Sequence, residues 1–251
     1  MIKITPYYSS SEGNLYTVKN ENTKILLECG VQKVRIITSL TKNKENVRSY
    51  DACLISHAHS DHSQSIEYVN QYIPVYANER VFDKYPFKGT IIEHRKSFTI
   101  GTIKILPIKV EHGEMLNFAY IFKDNNSLIF WGTDFSNIPV DKLNFSFDEI
   151  WIECNYVPVL LNSALEESKE DASKNFCCTK YERQMTTHMS LDNLIYILNN
   201  KFILNKCTKI VGLHISQDVG DYDLMYSKIK KEFTKIKIQL LRKDGNIYGD
   251  V

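Results

Sequence analysis

The stretch Ser56-His57-Ala58-His59-Ser60-Asp61-His62-Ser63 follows directly on the short apolar run Ala52-Cys53-Leu54-Ile55. Three imidazoles and one carboxylate thus fall within six residues, where a buried strand gives way to a turn. On such a turn His57 and His59 point the same way, while Asp61 and His62 point to an adjacent position. Imidazole nitrogen and carboxylate oxygen together suit Zn, Mn or Fe. Two such cations about 3.5–4 Å apart can hold a bridging hydroxide and clamp a phosphoryl or acyl oxygen. The cluster therefore points to two divalent metal ions and metal-assisted hydrolysis. The bland alternative is a solvated polar loop that carries its histidines by chance.

Outward from this cluster the chain reads as one α/β unit, residues 1–251, long enough to bury a sizeable core. Short β-type runs at 3–8, 15–19 and 24–29 are separated by Ser9-Ser10-Ser11-Glu12-Gly13-Asn14 and Asn20-Glu21-Asn22, the turn chemistry of an antiparallel meander. A helix is expected to start near His62 and to bury Ile66 and Val69. Strand patterns recur at 74–77, 90–93, 102–111, 117–123, 127–131 and 149–153. The last quarter alternates types. A helix over 190–200 has Ser190 as N-cap and Leu191, Leu194, Ile195 and Leu198 on one face. Strands at 208–213, 236–241 and 246–249 enclose a helix over 222–233. Two strand-rich halves with helices fit two sheets packed face to face with helices outside. The polar segment 162–187 lacks clear periodicity and reads as a surface excursion, of the kind that forms lids or binding elements.

Composition narrows the partners. Hydrophobic residues make up 43% and charged residues 24%, and 31 basic side chains stand against 30 acidic ones, a globular and nearly neutral chain. Bulk charge therefore gives no sign of a strong polyanion binder, although a local basic patch is compatible with it. Six cysteines form no C-x-x-C pair, and the adjacent Cys177 and Cys178 read as incidental. The N-terminus lacks an apolar signal core and the apolar runs are only strand-length, so no membrane span and a cytoplasmic protein with reduced thiols are expected.

H-x-H-x-D-H after a strand resembles the signature of the metallo-β-lactamase superfamily, and further stretches follow its motifs in order. His112 in Val110-Glu111-His112-Gly113 resembles the lone histidine that ends a strand, Asp134 in Trp131-Gly132-Thr133-Asp134 the bridging carboxylate, and His214 in Val211-Gly212-Leu213-His214-Ile215-Ser216 the late strand-end histidine. The resemblance implies the α+β, four-layer αββα fold, with two packed mixed β-sheets and helices on the outer faces. It also implies that His57, His59 and His112 hold one metal, that Asp61, His62 and His214 hold the other, and that Asp134 lies between them. Glu28 in Leu27-Glu28-Cys29-Gly30 stands where members usually show Asp, a carboxylate that supports a metal-bound histidine from behind. His94 matches no motif and reads as a surface residue.

Several stretches are similar to one branch, the YycJ/WalJ-type exonuclease-like hydrolases. They are the Ser9–Asn14 loop ending in Gly-Asn, Pro74-Val75-Tyr76-Ala77-Asn78-Glu79, Thr187-His188-Met189-Ser190 and Leu213-His214-Ile215-Ser216-Gln217-Asp218. The branch implies a phosphodiesterase acting on nucleic acid, plausible as an exonuclease on single strands or ends. Asp61 would orient the attacking hydroxide, His188 before a helix N-cap would assist the leaving group, and Ser10, Ser11, Asn14 and Ser190 would contact substrate. The chain departs from the branch at Glu153-Cys154-Asn155-Tyr156-Val157, where Glu-Ala-Asn-His-Asp is usual. The rival readings are a hydrolase of a small phosphodiester such as a cyclic nucleotide, an acyl or thioester hydrolase, and a non-catalytic scaffold that keeps the fold for partner binding.

Overall fold

In the computed structural model, which describes residues 1–85, 89–170 and 175–250 (175–178 by backbone only), most strands are buried on both faces, and this decides the layering. The first sheet runs β1 (Lys3–Ser10), β2 (Gly13–Lys19), β3 (Lys24–Leu27), β4 (Ala52–Ile55), β5 (Val75–Ala77) and β6 (Thr90–Ile91) in spatial order. β1 to β3 form the expected antiparallel meander, and β3 to β6 are parallel. The second sheet runs β7 (Phe98–Ile100), β8 (Ile103–His112), β9 (Met115–Lys123), β10 (Leu128–Gly132), β11 (Glu149–Glu153), β12 (Lys209–Leu213), β13 (Lys237–Leu241) and β14 (Ile247–Gly249). β10 to β13 are parallel and the flanking pairs antiparallel.

Successive strand side chains point to opposite faces, so each strand feeds two cores. Tyr16, Val18, Leu54, Tyr120, Trp131, Trp151 and Val211 fill the space between the sheets. Leu26, Cys53 and Val75 point outward, against Ile36 and Leu40 of α1 (Lys33–Lys42), against Ile66 and Val69 beyond the single-turn α2 (Ser60–Ser63), and against Val81 further on. Ile66 and Val69 belong to α3 (Ile66–Asn70), and Val81 to α4 (Glu79–Lys84). Phe130, Ile150, Ile152 and Ile210 cover the other outer face. Beyond α5 (Pro158–Glu170) and α6 (Asn175–Thr187), the chain supplies that face with α7 (Leu191–Lys201) and α8 (Tyr222–Glu232). This is the four-layer αββα arrangement.

Sequence expectations needed correction in four places. Within segment 162–187 the described residues belong to two helices, α5 and α6, rather than to a long loop. Its pattern was weak because α5 buries only Leu161 and Ser168, so no apolar stripe repeats along it. The helix expected from His62 is two short pieces, α2 and α3, with Ile66 and Val69 buried as read. Helices α1 and α4 were not anticipated. On α7, Ser190 caps the helix by accepting from the Asn193 N–H, and Ile197 takes the buried place expected of Ile195. His94 is exposed, as read. Cys29, Cys53, Cys154 and Cys207 are free and buried, whereas the Cys177 and Cys178 side chains lie outside the described residues. No described helix is long and apolar enough to cross a membrane.

Candidate metal centre and its cleft

Each candidate ligand lies at or just past the end of a strand. β4 delivers His57, His59, Asp61 and His62; β8 ends on His112; β10 leads into Asp134; β12 leads into His214. The turn carrying Asp61 and His62 is fastened to two neighbouring loops. Cys29 N–H donates to the His62 carbonyl at 2.9 Å, and the Asn14 side-chain amide donates to the Asp61 carbonyl at 3.2 Å. Gly30 permits this closeness, since a Cβ there would stand 1.6 Å from the Asp61 carbonyl oxygen. Glu28, Asp134 and His214 all adopt positive φ, at 62°, 57° and 54°, a region that L-residues seldom occupy and that often marks functional sites.

The seven residues predicted from sequence are brought together. His57 Nε2 lies 3.0 Å from His59 Nδ1, which lies 3.1 Å from His112 Nε2. Asp134 Oδ2 stands 3.8 Å from His57 Nε2, 4.0 Å from His112 Nε2 and 3.3 Å from His62 Nε2, while its Oδ1 lies 3.2 Å from His214 Nδ1. Asp61 Oδ2 is 3.3 Å from His62 Nε2. Two groups result, His57/His59/His112/Asp134 and Asp61/His62/Asp134/His214, each with its candidate ligand atoms within 4.8 Å of one another. They share Asp134, as the sequence reading has it.

The electrostatics of this cluster fit cations. Among the described residues the ion-pair partners of Asp61, Asp134, Glu28 and Glu153 are all imidazoles. Buried carboxylates without an ammonium or guanidinium partner call for positive charge from elsewhere. Burial pushes His57, His59 and His112 below the usual imidazole range, leaving them neutral with lone pairs to offer. Burial opposes charge on His62 too, but the carboxylates of Asp134 and Asp61 hold it well above that range. Outer partners orient the rings. His112 Nδ1 donates to the Thr187 carbonyl at 2.9 Å, the Ser56 hydroxyl lies 2.9 Å from His57 Nδ1, and Glu28 Oε2 faces His62 Nδ1 at 3.6 Å. Glu28 is fully buried and accepts the Ser56 N–H, so the longer side chain still reaches behind His62.

Sequence reasoning missed one carboxylate. Glu153, at the end of β11, accepts the Phe135 N–H through Oε2 and meets His188 Nδ1 through Oε1 at 2.6 Å. Burial and the nearby Asp134 carboxylate raise Glu153, while burial lowers His188, so both shifts oppose charge on the pair. The His188 ring stacks on His214, with centroids 5.5 Å apart, and lies edge-on to His112. Its signal was present in the Glu153–Val157 motif, where attention falls on Tyr156 and Val157. Those two are buried away from the metal groups, Tyr156 with Leu161 and Val219 in a small cluster and Val157 in the outer core.

The ligands open on a cleft of about 480 Å³ lined by Asp61, His112, Asp134, His188 and His214, with Ser11, Arg183 and Thr187 also on its walls. Of the four expected substrate contacts only Ser11 lines it. Asn14 is fully buried and holds Ser10 and Asp61 carbonyls, Ser10 is buried, and Ser190 caps α7. Of these, Asn14 braces the site from beneath.

Such a ligand cluster between two mixed sheets defines the metallo-β-lactamase-fold hydrolases. A beta-lactamase superfamily domain matches residues 23–200, and the chain belongs to that superfamily. It is 30% identical over 134 residues to exodeoxyribonuclease WalJ of Streptococcus pneumoniae, across 48% of this chain and 50% of that protein. It is 28% identical over 137 residues to exodeoxyribonuclease YycJ of Bacillus anthracis, across 50% and 52%. The chain thus spans about half the length of the curated relatives it matches. The solved structure of the metallo-beta-lactamase fold protein YhfI from Bacillus subtilis superposes with a TM-score of 0.71 at 16% identity, covering 99% of both chains. That likeness is one of fold.

Proposed function

We propose that this chain hydrolyses phosphodiester bonds in nucleic acid, as a nuclease of single strands or strand ends. Two divalent ions, Zn or Mn with Fe as a further candidate, would be held by His57, His59 and His112 on one side, by Asp61, His62 and His214 on the other, and by Asp134 between. When bound, such a pair supplies Lewis acidity at phosphorus and a water deprotonated near neutral pH.

The observation that carries the reading is His188, which lines the same cleft as the ligand groups while the buried Glu153 holds its ring from behind. Phosphodiester cleavage needs a proton for the departing alkoxide, because the oxygen leaves with the electron pair of the broken P–O bond. Glu153 fixes the ring through Nδ1, which leaves His188 Nε2 for the leaving oxygen. Asp61, whose side chain is 20% exposed against 3% for Asp134, has an oxygen free to orient the attacking water. The exodeoxyribonuclease names of the two curated relatives agree with this reading.

The test uses 5′- and 3′-labelled single strands, duplexes, a cyclic nucleotide and a thioester with metal-loaded protein. Single strands are expected to be cleaved, and His188→Ala to lower turnover by roughly 10²–10⁴-fold at unchanged metal content. Thioester cleavage without strand cleavage would overturn the proposal.

A further inference from the structure

A second cleft of about 280 Å³ adjoins the metal cleft, and the two share Ser11, Arg183, His188 and His214 on their common wall. It is lined by polar side chains, among them Asn155, Gln184, Ser216 and Gln217. Its floor is tied to the centre itself: the Gln184 amide donates to Asn155 Oδ1, and Asn155 Nδ2 donates to the His214 carbonyl at 2.7 Å. The two carboxylates of this cleft are already neutralised, Asp218 by Lys180 and Glu12 by Lys243. Arg183, exposed on α6, faces both clefts and has no carboxylate partner among the described residues.

We infer that the second cleft seats the polynucleotide on the leaving-group side of the scissile bond, with Arg183 gripping the neighbouring phosphate. The inference rests on the nuclease reading for the direction of the strand, because His188, the proton donor in that reading, stands on the shared wall. A leaving oxygen that receives its proton there departs towards the second cleft. A guanidinium offers a planar fork of donors matched to phosphate oxygens, and an unpaired one beside a polar cleft is suited to a diester chain. The substrate class is then a linear strand with at least two consecutive phosphates. A cyclic nucleotide brings no second phosphate, and its leaving oxygen stays tethered to the same sugar. Helix α6 acquires a role as the wall that selects for length.

Stopped-flow anisotropy of fluorescein-labelled pentathymidylate on the metal-loaded protein, read before turnover and across a salt series, tests this directly. Arg183→Ala is expected to weaken binding about tenfold and to lower the slope of log K against log salt by about 0.7, the loss of one phosphate contact on a single strand. Arg183→Lys should restore most of the slope, which a merely structural role would not do. Replacing single linkages with neutral methylphosphonate should abolish the effect of Arg183→Ala at one position only. Equal affinity and slope in wild type and Arg183→Ala would overturn the inference, as would failure of the strand to bind. Arg183-dependent binding without cleavage would sustain the phosphate grip in the second cleft while removing the nuclease assignment and, with it, the direction of the strand.

Discussion

Replacing Gly30 by Ala tests whether the metal turn depends on one missing methyl group. A Cβ at this position would lie 1.6 Å from the Asp61 carbonyl oxygen, 1.9 Å from its carbon and 2.4 Å from the His62 nitrogen. All three are backbone atoms, so no rotamer change relieves the clash. Ordinary contact begins at 3.4 Å, so the Asp61 carbonyl must retreat by 3.4 − 1.6 = 1.8 Å, or the Gly30 loop must do so. Either movement strains the bonds from Cys29 N–H to the His62 carbonyl and from Asn14 to the Asp61 carbonyl. Overpacking of this kind costs about 1–3 kcal/mol in stability, and a displacement of about 1 Å at reacting groups costs about 10²-fold in rate. The variant is therefore expected to fold with a lower melting temperature, to lose metal preferentially from the Asp61/His62/His214 side, and to lose at least 10²-fold in turnover. Metal content by mass spectrometry, together with thermal unfolding, measures both effects. A Gly30→Ala protein with two metals per chain and wild-type turnover would refute the reasoning.

Two further outcomes follow from buried carboxylates. Glu28→Gln places an amide N–H against His62 Nδ1 or withdraws the acceptor from the Ser56 N–H, and should weaken metal affinity about 10–100-fold in a competition titration with a chelator; unchanged affinity would show that Glu28 does not orient His62. Burial by itself raises Glu45, but bonds from Lys19, Lys24 and Tyr50 hold its carboxyl down to about 2. With the folded value depressed below the ordinary 4.5, the stabilisation is complete above pH ~4.5 and is lost as pH falls towards 2. Screening at this partly exposed network limits it to about 1 kcal/mol. The stability gap between wild type and Glu45→Gln in urea should therefore close over that acid window, and a gap independent of pH would contradict the assignment.

The first cluster of candidate ligands was legible because its signal is local, His57 to His62 following a buried strand at once. His112, Asp134 and His214 are single strand-end residues, and only the family resemblance singled them out. The layers were legible from two strand-rich halves supplemented by helices and from the family resemblance, and in the fold Phe130 and Trp131 feed opposite cores. What escaped depends on contacts between distant residues. Asn14 was expected to contact substrate because its loop resembles the Gly-Asn loop of the exonuclease-like branch, yet the fold sets it against Asp61, 47 positions away, as a strut. Glu153 and His188 meet across 35 positions, and nothing local to either announces the other. Helices α5 and α6 carry too little apolar periodicity to be seen, and α6 supplies Arg183 and Thr187 to the cleft.

The division of the candidate ligands between the sheets has a mechanical consequence. His57, His59, Asp61 and His62 hang from β4 of one sheet, while His112, Asp134 and His214 hang from β8, β10 and β12 of the other. On the proposed assignment each cation takes ligands from both, and so acts as a hasp across the rim of the sandwich. Binding energy at the site then becomes resistance to unfolding, worth about 4 kcal/mol when free metal exceeds its dissociation constant a thousandfold. On that assignment a chain stripped of its ions would be loosened first along the rim where these ligands meet, so the supply of metal would set both whether the protein acts and how long it survives.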